Sequence, residues 1–497
     1  MTSRLLALAA AALIALPAST LAQDAAPPAA QATLLVPQVR THDMVGTFGG
    51  VRVPYRVTMG ETIISTDEGR QEAVIVTTSY VRTPRDATRP VFFIYNGGPG
   101  SGSVWLQMGA FGPVRVAIPS DARDDGAPPY PLVDNPDSLL DVADLVFIDP
   151  PGTGFSYLTP GTDPEDYYGL REDARAVADV IRRWINDNGR WNSPKYLGGE
   201  SYGTTRTAMV VDELEGSTYN DVGLNGLILI STILDFAARE PTPGNEMAYI
   251  TLLPSQAAAA YYHGLVAAPS VEAIVEEARQ FAIGPYAHAL LQGQALPAAE
   301  RAAVRAELAR LTGLSERFLD NAELRVTDDR FYKELLRDRG LTIGRLDARY
   351  TGRDYDNAGE NVDNDPSFYG IDAGYTAAIN TWARERLGFT TDREYQSIGS
   401  VGPWNWSLGG RGRAAYLNVA PLIGQAMRGN SALRTFVGQG YYDFATPFFG
   451  AEYSLTRVGI PQDRVEFHYY ESGHMMYIRD EDREKLSADL RDFIRNR

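Results

Sequence analysis

Gly199-Glu200-Ser201-Tyr202-Gly203 sets a serine between two glycines, after the short apolar run Tyr196–Gly198 and before the helical run Thr204–Glu215. A strand, a sharp turn and a helix in that order lift a serine hydroxyl clear of a sheet. The pattern also fits an ordinary strand–helix turn, so the chemistry depends on what reaches it. A serine hydroxyl is a weak nucleophile at neutral pH and needs a base, which in turn needs an orienting acid. The chain has five histidines. His42 lies in an N-terminal lead-in, His263 and His288 in a helical stretch, and His468 inside a strand pattern that favours a structural role. His474 follows the last apolar run in the loop Glu471-Ser472-Gly473-His474, where the strand ends of α/β sheets build sites. Asp443 stands in the same way beyond the run Leu433–Gly438, before Thr446-Pro447.

The order Ser201, Asp443, His474 is that of α/β-hydrolase triads. An acyl-transfer site of this kind also needs two backbone N–H groups aimed at the developing oxyanion. One falls to Tyr202, the residue after the serine. The other falls to Asn96-Gly97-Gly98-Pro99-Gly100, directly after the apolar run Val91–Tyr95, where glycine lets the backbone approach a substrate closely. This segment lacks the lysine and the glycine spacing of a phosphate-binding loop.

The elements that must position these residues are legible as short apolar runs. Val91–Tyr95, Leu145–Asp149, Tyr196–Gly198, Leu227–Ile230, Leu433–Gly438 and Val465–Tyr470 mostly lack alternation, as strands buried on both faces do. Residues 51–81 alternate in part and are rich in β-branched residues, which predicts antiparallel strands. After Pro164, the stripe Ala174, Val177, Ile181, Trp184 and Ile185 predicts a helix stopped by Asn188-Gly189. Ser270 and Pro297 start two more helices, the second carrying Val304, Leu308 and Leu311 and ending at Gly313. The expectation is an α/β-hydrolase fold, with a mostly parallel central sheet and an inserted, mainly helical cap. Its divisions read as core over 46–235, cap over 236–405 and core again over 406–497.

The first 22 residues have the form of a secretory signal: Arg4, the apolar run Leu5–Leu16, Pro17, then Thr20-Leu21-Ala22. If retained, this segment would be an N-terminal anchor instead. Residues 23–45, rich in Ala, Pro and Gln, read as a flexible lead-in. The expectation is an exported protein, periplasmic or secreted, with no stable membrane insertion once the signal is removed. The chain has no cysteine, which excludes a thiol nucleophile, thiolate-bound metal and disulfides. Its formal net charge of −17 argues against nucleic acid as a partner. Asp354, Asp356, Gly359 and Asp365 echo a calcium loop, but with Ala358 at a ligand position they read as a solvated acidic loop. No cofactor and no metal are expected.

Taken together, these segments resemble the serine carboxypeptidase family. The resemblance rests on Asn96–Gly100, on Phe147-Ile148-Asp149-Pro150-Pro151-Gly152-Thr153-Gly154-Phe155-Ser156-Tyr157, on Gly199–Gly203, on Asp443 with Pro447, and on Gly473-His474-Met475. It implies an exported enzyme that releases C-terminal residues from peptides through an acyl-enzyme. It also implies that Gly98 and Tyr202 supply the oxyanion N–H groups, and that Asn96 and Glu200 bind the substrate's terminal carboxylate. Three positions depart from the family pattern. Ser101 replaces a cysteine, the segment after His474 lacks a proline, and Ala110 stands where many members carry a glutamate that partners the one equivalent to Glu200. Without that second acid, Glu200 is expected to titrate lower than in a paired site. Other readings are an aminopeptidase, esterase or acyltransferase with the same triad, or a non-catalytic binding protein on the same fold.

Overall fold

In the strand Val91–Tyr95, Phe92 and Ile94 enter one apolar cluster while Val91, Phe93 and Tyr95 enter another. Such a strand needs cover on both faces, and the fold provides it. A computed structural model describes residues 34–216, 221–408 and 416–496. Pro37–Arg497 form one compact unit built on a ten-stranded sheet. Nine strands run β1 (Val39–Phe48), β2 (Val51–Ser65), β3 (Gln71–Arg82), β4 (Val91–Tyr95), β5 (Asp144–Ile148), β6 (Lys195–Ser201), β7 (Gly226–Thr232), β8 (Arg434–Gly440) and β9 (Val465–Tyr470). Their order across the sheet is β1-β2-β3-β5-β4-β6-β7-β8-β9, and the two-residue strand Tyr157–Leu158 pairs with β3. Pairing is antiparallel from β1 to β5 and parallel from β5 to β9. The exchange of β4 and β5, with a parallel run beyond it, is the sheet of an α/β-hydrolase.

Helices α1 (Leu170–Asp187) and α2 (Tyr202–Glu215) cover one face, and the C-terminal helix Asp480–Arg495 lies on the other. The apolar stripe of α1 is buried as its spacing predicts, and Gly189 beyond its end has φ +56°. Ser270 caps Val271–Phe281 through a bond from the Ala273 N–H, and Gly313 ends Ala298–Thr312 in the left-handed conformation.

Two boundaries differ from the sequence reading. Residues 1–33 lie outside the described residues, so the signal call does too. Strand β1, however, begins at Val39, inside the stretch expected to be a lead-in, and pairs with β2 along its full length. Its side chains are largely solvent-facing, so no apolar alternation announced it. The stretch 236–405 divides. Its earlier helices, Met247–Tyr262 through Asp328–Glu334, share a cluster of their own with Tyr441, Tyr442, Phe444 and Phe448. Its later residues, Tyr375, Ile379, Trp382, Phe389 and Tyr395, join the core cluster on the sheet face carrying the C-terminal helix. The Trp382 indole donates to the Tyr80 hydroxyl on β3 at 2.9 Å, which makes this part a layer of the core.

Arg206 on α2 is wholly buried and ties three elements together. Its Nε donates to Asp173 of α1 at 2.6 Å, another guanidinium N–H donates to the Asn96 carbonyl at 2.5 Å, and the rings of Tyr95 and Tyr202 flank it. Removing one partner of such a pair strands a buried charge, at about 3–5 kcal/mol. Arg206→Met is therefore expected to lower unfolding stability by that amount in urea titrations. A loss below about 1 kcal/mol would show that this clamp does not hold the site.

Candidate active site

Strand β6 runs directly into α2, and Ser201 at the junction has φ +61° and ψ −131°. A non-glycine residue in that region is strained, by about 1–3 kcal/mol, and is held only where its surroundings over-determine it. The surroundings are glycines. A Cβ on Gly97 would lie 2.5 Å from the Glu200 carbonyl oxygen and 2.6 Å from the Tyr202 nitrogen. One on Gly199 would lie 2.4 Å from the Gly203 carbonyl oxygen, and one on Gly203 would lie 3.0 Å from the Asn96 carbonyl oxygen. The loop after β4 and the turn after β6 thus meet backbone to backbone. This brings Gly98 and Tyr202 to the cavity that Ser201 faces.

That cavity holds about 520 Å³, ordinary for a small-ligand site. Asn96, Gly98, Glu200, Ser201, Tyr202 and His474 all line it. Asp443 is fully buried behind His474 and accepts from its Nδ1 at 2.8 Å. The other Asp443 oxygen accepts the N–H groups of Ala445 and Thr446 at 2.8 and 3.0 Å, and the Thr446 hydroxyl donates to Asp443 at 2.7 Å. Three fixed donors keep this acid pointed at the imidazole. The His474 N–H donates to the Leu346 carbonyl at 2.6 Å, and the Ser231 hydroxyl donates to the His474 carbonyl at 2.6 Å. Burial opposes the imidazolium, but the Asp443 and Glu200 carboxylates outweigh it and hold His474 above the usual histidine range. Among the described residues no hydrogen bond joins Ser201 Oγ to His474. The seven residues singled out from the sequence therefore converge, six as cavity lining and Asp443 as the buried anchor.

Glu200 is almost completely buried beside Ser201. One carboxyl oxygen accepts from the Asn96 amide at 3.0 Å and the other from the Tyr477 hydroxyl at 2.7 Å. Burial, the largest influence, pushes Glu200 up to about 7, against His474 and its two hydrogen-bond donors. The nearby Asp443 carboxylate adds to that upward push.

Several contributors were not legible in the sequence. Arg345 lines the cavity, and its guanidinium has no hydrogen-bond or ion-pair partner among the described residues. Asp149, buried and pushed up to about 6 by that burial, accepts from the Ser103 N–H at 2.8 Å and the Tyr395 hydroxyl at 3.1 Å, bracing the loop after β4. Trp105 and Trp406 add aromatic walls. The acidic stretch 354–365 is not simply a solvated loop. Asp354 is buried against Lys333, and Asp365 caps the turn Pro366–Tyr369. Among the described residues no group of three or more His, Asp or Glu is placed to hold a metal.

The backbone meeting at Gly97 gives a direct test. Gly97→Ala is expected to lower kcat/KM by at least about 100-fold, as losing one oxyanion donor does, because the loop must shift away from Tyr202. Near-unchanged kcat/KM on a small ester would show that the loop tolerates the displacement.

A search of curated proteins gives no match to this chain. Among solved structures, an Aspergillus niger epoxide hydrolase aligns at 13% identity over 88% of this chain and 78% of its own, with a TM-score of 0.33. A haloalkane dehalogenase loop variant from Bradyrhizobium elkanii aligns at 14% over 92% and 97%, with a TM-score of 0.31. A thioesterase domain from the curacin biosynthetic pathway aligns at 13% over 88% and 99%, with a TM-score of 0.34. Likeness at this level bears on no activity, and the strand order itself carries the fold. The serine carboxypeptidase family model matches residues 79–295, a span containing the loop after β4, the Phe147–Tyr157 segment and the Ser201 turn. Through that span the chain is similar to the serine carboxypeptidase family.

Proposed function

We propose that this protein is an exported serine carboxypeptidase in which Ser201 is the nucleophile, His474 the general base and Asp443 its orienting acid. The observation that carries the reading is the 2.8 Å contact of Asp443 with His474 Nδ1, in a cavity that a strained serine also lines. That contact leaves Nε2 as the nitrogen to take the serine proton. Attack on the scissile carbonyl would form the acyl-enzyme and release the C-terminal residue, with the proton passing from His474 to the leaving amine. The Gly98 and Tyr202 N–H groups would stabilise the tetrahedral oxyanion. Asn96 and Glu200, within the same cavity, would hold the terminal carboxylate of the peptide. Export is supported by the form of residues 1–22. Among the described residues no helix is long and apolar enough to cross a membrane.

Ser201→Ala is expected to lower kcat by about 10⁴–10⁶-fold without a change in melting temperature, and to abolish labelling by a fluorophosphonate. Persistent labelling at full stoichiometry would place the nucleophile elsewhere.

The pH dependence follows from Glu200. A neutral carboxyl can donate to a substrate carboxylate, whereas an ionised one repels it. With Glu200 held up to about 7, KM for N-blocked dipeptides is expected to be low below that pH and to rise above it. Glu200→Gln should flatten the rise, since an amide donates at any pH. Simple esters, which carry no carboxylate, should show no such rise. Faster cleavage of aminoacyl anilides than of N-blocked dipeptides would instead favour an aminopeptidase, with ionised Glu200 attracting a substrate ammonium.

A further inference from the structure

Two of the departures from the family pattern meet in space. Ala110 removes the glutamate that would partner Glu200, and the segment after His474 carries Tyr477 but no proline. Tyr477 is about 1% exposed, and its hydroxyl reaches Glu200 Oε2 at 2.7 Å. Its ring lies against Gly109, the neighbour of Ala110. A Cβ on Gly109 would sit 2.7 Å from Tyr477 Cε2 and 2.3 Å from the Tyr375 hydroxyl. A small residue before Ala110 therefore admits the ring, and the ring delivers a phenol to the acid left without a partner. The Asn96 amide takes the other Glu200 oxygen, and the Asn96 side-chain oxygen accepts from the Leu106 N–H at 3.0 Å. Asn96 is thereby fixed between the Leu106–Phe111 turn and Glu200.

We propose that Tyr477 is a positioning residue that stands in for the missing acid: its hydroxyl aims Glu200 at the substrate's terminal carboxylate and sets the pH at which Glu200 gives up its proton. The proposal rests on the carboxypeptidase reading for its substrate, but not for its geometry. A phenol differs from a carboxyl in a way that matters. It can donate to an ionised Glu200 at any pH near neutrality, because burial holds its own proton far above that range. A paired acid would compete with Glu200 for one proton, whereas Tyr477 simply stabilises the carboxylate form. Facing Glu200 are also His474, whose imidazolium favours its charge, Asp443, which opposes it, the Asn96 amide, which favours it, and the Tyr375 phenol. Of these, Tyr477 and Asn96 bond it directly.

The sign of the test follows. Deleting a donor to a carboxylate raises its pKa, so Tyr477→Phe is expected to shift the Glu200 midpoint upward by about one to two pH units. The readout is the protonated-carboxyl infrared band of the full-length enzyme, assigned as the band missing in Glu200→Gln and titrated without substrate. KM for an N-blocked dipeptide, measured across the same pH range, should keep its low value to correspondingly higher pH. The shift should vanish when Tyr477→Phe is made in the Glu200→Gln background. Replacing Tyr477 with 3-fluorotyrosine, which keeps the ring and strengthens the donor, should move the midpoint downward, and covers the case of a poorly folded phenylalanine variant. A purely structural tyrosine would lower the melting temperature and kcat while leaving both midpoints in place, and that result overturns the proposal. An infrared shift with a flat KM profile would uphold the Tyr477–Glu200 coupling and instead remove Glu200 from carboxylate binding.

Discussion

The loop after β4 and the turn after β6 meet with no side chain between them, and the rest of the site depends on that approach. With Gly97 against the Glu200 carbonyl and the Tyr202 nitrogen, two backbone segments are fixed to within van der Waals contact. The contact holds because the sheet supplies β4 and β6 as parallel neighbours in register, from Val91 opposite Lys195 to Tyr95 opposite Gly199. The strain at Ser201 is sustained by the same means. Thr204 bonds the Ser201 carbonyl from above, and Arg206 grips the Asn96 carbonyl from below. A rigid scaffold that holds donors before charge develops loses little to reorganisation when it does.

The base and its acid are secured separately. Asp443 and His474 hang from the ends of β8 and β9, also parallel neighbours, and a Cβ on Gly440 would lie 2.1 Å from the Gly473 carbonyl oxygen. Residues 345–347 reach the same loop, where the Leu346 carbonyl accepts from the His474 N–H and the Asp347 carboxylate from the Gly473 N–H. A stretch that looked like a cap in the sequence therefore helps to orient the histidine. Its later part, through Trp382 and Tyr395, also braces β3 and the loop after β4. Access to the cavity and integrity of the core are not assigned to separate segments of this chain.

Electrostatics link the two halves. Glu200 and His474 line the same cavity, each acting on the other's charge, so the acid next to the serine and the base do not titrate independently. Ala110 brings no carboxyl to Glu200, which bonds an amide and a phenol instead.

Most strands of the sheet, several helix ends and the serine turn were legible in the sequence, because these follow from local patterns. Apolar runs without alternation gave Val91–Tyr95 and Val465–Tyr470 with their boundaries, and Ser270, Asn188 and Gly313 marked helix ends through capping chemistry. The order of serine, acid and histidine, together with the family-like segments, pointed to one cavity. Strand β1 was missed because a solvent-facing edge strand has no apolar period to read. The upward push on Glu200 left no signal in the sequence, because burial depends on everything packed around a group and leaves no mark on its neighbours in the chain. That the later part of residues 236–405 belongs to the core emerges only once the chain is folded. So does the contact of Tyr477 with Glu200, 277 residues away, since a contact at that separation is set by how layers stack.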